Sequence, residues 1–501
     1  QTWSQVKTFP GIPEYTYVSH LMADRFNENV VYASFDNLQR DDFKPYILKS
    51  VDKGKTWTSI AGNLPENGTV NCLEQDFVNP DLLFCGTEFG LFFSIDGGAN
   101  WVKMKSGIPT IAVRHLAIQQ RESDLVAATF GRGFYILDNY SPLRELSKEL
   151  TEKEAYIFPV KDALMFNAYD NQDNQGQTYY SAPNPEYGAT FTWYLKEAPK
   201  SRKALRQDAE KKLFKEGKPI PQPSWRELEL ENLEETAHLI FTIRDEDGNV
   251  IRQITQAPAK GINRTNWDLR YSMPSATRVT GRFSPVDTNR GGRRGGGGGG
   301  IHVMPGTYSV EIALWNNGEV KNLAGPVKFT TKKLNNVTLP AADYSENIAF
   351  AKKVSRLAVA MTGTDRLTAE LTAKVENMKQ AIYSMPGISQ ELMNKARALS
   401  SELEEIRFAL NGVQAKASQE ETPPALVALN SRLQNLVSSH IGNSAGISAS
   451  EKAEYDILKG EFPPVLTRLK KIAETDIPVL EKELNRLNAP WTPGRIPEWK
   501  E

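Results

Sequence analysis

The chain has 501 residues, 40% hydrophobic and 24% charged, with 60 Lys+Arg against 61 Asp+Glu and a formal net charge of -1. Such a length accommodates several hydrophobic cores, roughly three domains by size alone. The balanced charge removes any bulk electrostatic case for nucleic acid or an anionic membrane, no apolar run is long enough to span a bilayer, and two cysteines are too few for a metal cluster or a disulfide-built miniature fold.

The start, "QTWSQVKTFPGIP", has neither the basic region nor the apolar region of a signal peptide. Residues 1–145 are repetitive. "YVSHLMADRFNENVVYASFDN", "TVNCLEQDFVNPDLLFCGTEFG" and "AVRHLAIQQRESDLVAATFGRG" superimpose so that His20, Cys72 and His115 coincide, as do Ala33, Cys85 and Ala128. Each copy predicts a strand, a polar turn, a second strand and then a third. The first two copies run into Ser-x-Asp-x-Gly-x-x-Trp: Ser50, Asp52, Gly54 and Trp57, then Ser94, Asp96, Gly98 and Trp101 at an offset of 44. Short β-units at this period predict β-propeller blades, with solenoid strands as the competitor. Within the motif the Asp accepts backbone amides in a tight turn, the Gly permits geometry other residues resist, and the Trp packs as the chain returns.

The motif resembles the Asp-box, or BNR repeat, of sialidases and sortilin-type propellers. That resemblance implies a structural box remote from any catalytic or ligand-binding centre. Trp3 falls where an earlier box would end, and "FGRGFYILDN" closes the last copy without one. About two and a half blades are therefore expected, whereas propellers close with at least four. The expectation is a C-terminal piece of a larger protein, whose N-terminal remainder supplies the missing blades.

Cys72 and Cys85 flank the turn near residues 78–81 almost symmetrically. Either a disulfide or two reduced core thiols fits that placement. His20 and His115 are expected near a central channel, packed or backbone-bonded rather than holding a metal. Asp24, Asp76 and Arg114 lie in or near the hairpin strands with no spacing that pairs them for catalysis.

From 146 to 340 the pattern predicts about seven strands of a β-sandwich, with hairpin turns at "DEDGN" and "NNG". A charged helical insertion is expected around 202–216. "DEDGNVIRQI", "NRTNWDLR" and "MPGTYSVEI" resemble the FlgD-type immunoglobulin-like domain of bacterial extracytoplasmic proteins. The tract "NRGGRRGGGGGG" has Arg290, Arg293 and Arg294 but no repeated Arg-Gly-Gly units or interleaved aromatics, so it reads as a loop rather than an RNA-binding element. Asp170, Asp173 and Asn174 are oxygen donors for a structural calcium ion, but their spacing does not meet the helix-loop-helix pattern, and a polar loop is preferred. Tyr179, Tyr180 and Tyr187 are candidates for a contact surface.

Residues 341–501 turn to Ala, Leu, Lys and Glu at helical period, for example Leu392, Leu399, Leu403, Ile406 and Leu410 on one stripe. Five to six helices in an antiparallel bundle are expected, with a coiled-coil arm as the alternative. The Pro-rich end, with Trp491 and Trp499, fits a cap on the bundle or a segment folded back onto the sandwich, with a partner-binding peptide as the alternative.

The order of propeller, sandwich and bundle resembles the C-terminal half of large bacterial proteins, common in Bacteroidetes, with sortilin-like BNR propellers. The resemblance implies an extracytoplasmic, multidomain, mainly β protein with an α tail. Its expected role is non-enzymatic binding or scaffolding of an envelope protein, peptide or glycan, with no cofactor. The alternative is a sialidase-like glycoside hydrolase with its site in missing upstream blades, since the arginine cluster and Tyr–Glu pair such an enzyme needs are not found here.

Overall fold

The computed structural model describes residues 5–166, 182–271, 302–334, 343–387, 389–413, 426–441, 445–497 and 499. Asp170, Asp173, Asn174, Tyr179, Tyr180, Trp3 and the glycine-rich tract all lie outside the described residues.

Each repeat folds into an antiparallel sheet. The first runs β1 (Tyr17–Ala23), β2 (Val31–Asn37), β3 (Asp42–Ser50) and β4 (Thr58–Ser59), and the second β5 (Val70–Gln75), β6 (Leu83–Thr87), β7 (Gly90–Ser94) and β8 (Val102–Lys103). The third holds β9 (Val113–Gln119), β10 (Asp124–Thr129) and β11 (Phe134–Leu137). Strand alternation gives each sheet two faces, and the second sheet buries both. Leu73, Leu83, Cys85 and Phe92 pack with Tyr32 and Ile47 of the first sheet. Phe84, Leu91 and Phe93 pack with Val113, Leu116 and Leu125 of the third. Sheets stacked face to face in sequence, with their first strands adjacent, make a propeller-like arc.

The two ends of the arc differ. Ala33, Phe35 and Leu48 on the outer face of the first sheet are covered by Phe9 and Ile12. The outer face of the third is open: Phe134 and Ile136 are 75% and 59% exposed.

After a short helix α1 (Lys148–Glu152) come two facing sheets. One is β12 (Ala155–Ile157), β14 (Ala189–Leu195) and β17 (Gly261–Trp267) in the order β12-β14-β17. The other contains β13 (Ala163–Met165), β15 (His238–Arg244), β16 (Val250–Gln256), β18 (Gly306–Asn316) and β19 (Glu319–Lys333), ordered β13-β19-β18-β15-β16. Phe191, Trp193 and Trp267 meet Phe241, Val310, Ile312 and Phe329 between them. The described residues hold eight strands in the two sheets where about seven are expected, and β13, of three residues, pairs in parallel with β19. The charged insertion is a pair of helices, α2 (Arg202–Lys215) and α3 (Trp225–Leu233).

The rest is helical: α4 (Tyr344–Tyr383), α5 (Gln390–Asn411), α6 (Leu429–Ile441), α7 (Ala449–Lys471), a π-helical turn at 472–476, and α8 (Ile477–Arg486). The stripe Leu392, Leu399, Leu403, Ile406 and Leu410 is buried in their shared core. The segment "MTGTD" does not interrupt α4. Thr364, Thr368 and Thr372 turn their hydroxyls onto the carbonyls of Ala360, Thr364 and Thr368 at 2.8 Å, satisfying polar groups within the helix. Among the described residues no helix is long and apolar enough to cross a membrane.

Candidate functional site

The two Ser-Asp-Gly-Trp turns share the bonding of serine, aspartate and glycine and differ at the tryptophan. In the first, Ser50 Oγ donates to Asp52 Oδ1 at 2.8 Å and accepts from Gly54 N at 2.8 Å. Asp52 also accepts from Thr56 N and Thr56 Oγ1 at 2.8 and 2.7 Å, which lowers its carboxyl to about 2. Trp57 Nε1 donates to Gly54 O at 3.0 Å. In the second, Ser94 Oγ donates to Asp96 at 2.7 Å and accepts from Gly98 N at 2.9 Å, while Asn100 replaces Thr56 as the donor to Asp96. Burial opposes the Asp96 charge, but the hydrogen bonds from Asn100 and Ser94 outweigh it and the carboxyl stays low. Trp101 is buried between the first two sheets, with Nε1 donating to Ile60 O at 2.8 Å. Both carboxylates are thus fully engaged as turn acceptors and kept ionised, which is poor preparation for acid chemistry.

The cysteines correct the symmetric reading. Register places Leu73 opposite Cys85 and Cys72 opposite Gly86, so the two thiols sit one position out of step. With a side-chain period of two they occupy opposite faces of the second sheet, Cys85 toward the first sheet and Cys72 toward the third. Both are free and buried, and burial pushes the Cys72 thiol up to about 12.

His20 and His115 do come together, with ring centroids 6.4 Å apart and edge to face. Burial, then the neighbouring His115, lowers His20. Among the described residues no group of three or more His, Cys, Asp or Glu is placed to hold a metal ion.

Asp24 and Asp76 occupy equivalent positions and cap equivalent hairpin turns. Asp24 Oδ1 accepts from Phe26 N and Asn27 N at 2.8 Å, and its Oδ2 accepts from Tyr32 Oη and Gln75 Nε2 at 3.0 and 2.8 Å. Asp76 accepts from Val78 N and Asn79 N, but it is fully buried and also takes Tyr140 Oη at 2.6 Å and a two-pronged Arg144 at 2.9 and 2.8 Å. Arg144 follows the third sheet, so this knot fastens the second sheet to the segment leading into the facing sheets. Arg114 bonds Asn71 at 2.9 Å and pairs with Glu88 at 3.3 Å, away from both aspartates' turns.

A different set of polar groups is left for a ligand. Leu137 stands opposite Leu125 as Ser94 stands opposite Leu83, so the third sheet has leucine where a box would begin, and Asp138 follows it. Asn139 takes the place of the motif's aspartate, and the Asp138 carboxyl, at the place of Ile95, has no hydrogen-bond partner among the described residues. It faces a cleft of about 670 Å³ between the third sheet and the three-stranded sheet beyond it. Glu122, Asp124, Asn139, Tyr187, Arg264 and Asn266 also line this cleft. Burial, with Asp124 nearby, raises Asp138, and Arg264 works against that rise. Burial lowers Arg264, which donates from Nη2 to the carbonyls of Asp138 and Asn139 at 2.7 and 2.9 Å. Asn266 Nδ2 donates to Tyr187 O at 2.7 Å, steadying the aromatic wall. Convergent carboxylate, guanidinium, amide and aromatic groups with opposed pKa shifts in one concavity have the chemistry of a binding site.

Of the residues read from sequence, only Tyr187 falls in this cleft. The available signal for Asp138 was an acidic residue at the place of Ile95 in the second motif. Nothing local marks Arg264, which reaches the cleft from over a hundred residues along the chain.

The sequence matches no known family and no curated protein. Solved structures with some likeness include the GH74 xyloglucanase of Xanthomonas campestris, at 16% identity over 22% of this chain and 18% of that one, TM-score 0.18. They also include the extracellular domain of BT4673 from B. thetaiotaomicron, at 13% identity over 63% and 31%, TM-score 0.20. An ancestral GH74 enzyme gives 13% identity over 66% and 37%, TM-score 0.22. The chain thus spans between about a fifth and a little over a third of the length of these structures.

Proposed function

We propose that this is an extracytoplasmic binding or scaffolding protein whose propeller region engages a protein, peptide or glycan without chemical turnover. The supporting observation is the cleft beside the third sheet, where the Asp138 carboxylate has no hydrogen-bond partner among the described residues and Arg264, Asn266 and Tyr187 stand around it. The blade carboxylates Asp24, Asp52, Asp76 and Asp96, by contrast, are all consumed by turns.

In this reading the chain divides into Asp-box blades at 1–145, a FlgD-like immunoglobulin sandwich at 146–340 and an antiparallel bundle at 341–501. The domain order, by its resemblance to exported proteins, supports the location. Further blades from an N-terminal remainder of the same protein complete the ring; the open apolar face carrying Phe134 and Ile136 is the kind of surface a neighbouring blade covers.

Peptide and glycan arrays probed with the full chain test the binding role, with Asp138→Asn alongside. Reproducible capture that the variant weakens at least tenfold supports the cleft, and capture indifferent to Asp138 refutes it.

A further inference from the structure

The helical insertion is built to project. Ser201 and Ser224 cap its two helices, and Ser224 forms a reciprocal box with Glu227. Their antiparallel pairing is fixed near the sandwich. Arg202 N donates to Glu234 at 2.8 Å, and Arg206 grips Glu231 with two bonds at 2.6 and 2.9 Å. Leu230 and Leu233 lie by Trp315 and the Asn317–Gly318 turn at the same base. From the Arg206–Glu231 pair, Phe214 lies further along α2 and Trp225 further back along α3. At a rise of about 1.5 Å per residue both stand roughly 9–12 Å toward the same free end.

That end is apolar and uncovered. Trp225 is 89% exposed, Phe214 76% and Ile220 46%, and neither helix contains a buried residue. The prolines of "KPIPQPSW" keep the connecting segment from continuing either helix. The charge around it is not balanced: between 211 and 229 the cations Lys211, Lys212, Lys215, Lys218 and Arg226 stand against three carboxylates, Glu216, Glu227 and Glu229. Lys212 and Lys215, on the last turn of α2, have no carboxylate at ion-pair distance among the described residues.

We infer that the tip of the α2–α3 hairpin docks the protein on an anionic lipid surface. Trp, Phe and Ile enter the boundary between headgroups and acyl chains, where an aromatic ring with a polar edge is well placed. Lys212 and Lys215 lay their aliphatic stems along the same surface and meet the headgroup phosphates, which complement the charge left over at the tip. The near-zero charge of the whole chain does not oppose this, because a headgroup responds to charges within about 10 Å. The inference is independent of the cleft and of what the cleft binds.

Co-sedimentation of the full chain with phosphatidylglycerol vesicles, and with phosphatidylcholine vesicles as the neutral arm, tests it. The expected result is partition onto phosphatidylglycerol, weakened at least tenfold in the double variant Phe214→Ser, Trp225→Ser. Lys212→Gln with Lys215→Gln removes the salt-sensitive part of binding and leaves a weaker, salt-insensitive remainder. All four side chains are solvent-facing, so circular dichroism should not change. Three results overturn the inference. These are no pelleting with phosphatidylglycerol, pelleting unaffected by the aromatic variant, or a lipid-free self-association that this variant abolishes while vesicle binding is absent.

Discussion

Removing Asp76 should loosen the arc far more than removing its counterpart Asp24, although both cap the same turn. In Asp76→Ala five hydrogen bonds disappear, and what remains matters more than what is lost. The Arg144 side chain, only 18% exposed, keeps its charge with no carboxylate, only Ser123 Oγ at 3.3 Å and the rings of Phe77 and Tyr140 beside it. Tyr140, whose ring is buried against Phe84, keeps a hydroxyl with no acceptor. Breaking a buried ion pair by removing one partner costs about 3–5 kcal/mol. The partial exposure of Arg144 puts the expectation near the lower end, ~3 kcal/mol, or somewhat over a hundredfold in a local opening equilibrium. Asp24→Ala strands the neutral Tyr32 hydroxyl and releases two exposed turn amides to water, while Gln75 Nε2 keeps Pro80 O at 3.0 Å, for roughly 1–2 kcal/mol.

A chain with several cores does not unfold in two states, so the readout must be local. Hydrogen–deuterium exchange by mass spectrometry, on peptides covering 70–94 and 113–146, gives opening free energies on both sides of the knot. The pH dependence has a determined sign. Burial opposes the Asp76 charge, but Arg144, Tyr140 and the turn amides outweigh it, so the folded carboxyl lies below its unfolded value. A depressed carboxylate contributes in full above the unfolded pKa, about 4, and that contribution vanishes as pH falls through the folded pKa. The native and Asp76→Ala proteins should therefore differ most above about pH 5 and converge in stronger acid. Equal losses in the two variants, or a loss under ~1 kcal/mol for Asp76→Ala, would refute the reasoning.

The imidazole of His302, lowered to about 4 by burial and by the charge of Arg270, binds no proton in the folded sandwich at pH values where an unfolded histidine does. Stability of this region should fall as pH drops from about 6.5 to about 4, and His302→Gln should flatten that slope in pH-dependent exchange. A Cβ on Gly86 would sit 2.6 Å from Cys72 Sγ and 2.7 Å from Val113 O, so Gly86→Ala should cost about 1–3 kcal/mol at the contact of the second and third sheets; unchanged protection there counts against the packing. Alkylation in denaturant without reductant should add two groups per chain, whereas the native protein should resist it because both thiols are buried and protonated. An intact mass lacking those adducts would mean a disulfide.

What was legible in the sequence was what repeats or alternates locally. In the two Ser-Asp-Gly-Trp turns the Ser50–Asp52 and Ser94–Asp96 bonds are local and so visible as spacing, whereas Trp101 reaches out to Ile60 O. The hairpin at "DEDGN" is similarly self-contained, with Asp245 accepting from Asn249 N at 2.8 Å and Gly248 at a φ of +81°. Register is not of this kind. Cys72 and Cys85 look matched about their turn, yet one residue of offset reverses a face, and only the pairing of the full strands decides it. In α4, "MTGTD" looks like a break because β-branched residues and glycine are poor helix formers, and burial of Met361, Thr364 and Thr368 overrides that preference.

The cleft was illegible for a further reason: it depends on what a repeat omits and on what a later domain contributes. At the end of the third sheet Leu137 and Asn139 stand where the serine and aspartate of a Ser-Asp-Gly-Trp turn would, and Asp138 lies between them at the place of Ile95. Its partial burial and Asp124 raise it, while Arg264, brought by β17 against the carbonyls of Asp138 and Asn139, works against that rise. The missing turn belongs to the third sheet and Arg264 to another, and only their meeting in space sets this carboxylate apart from Asp52 and Asp96.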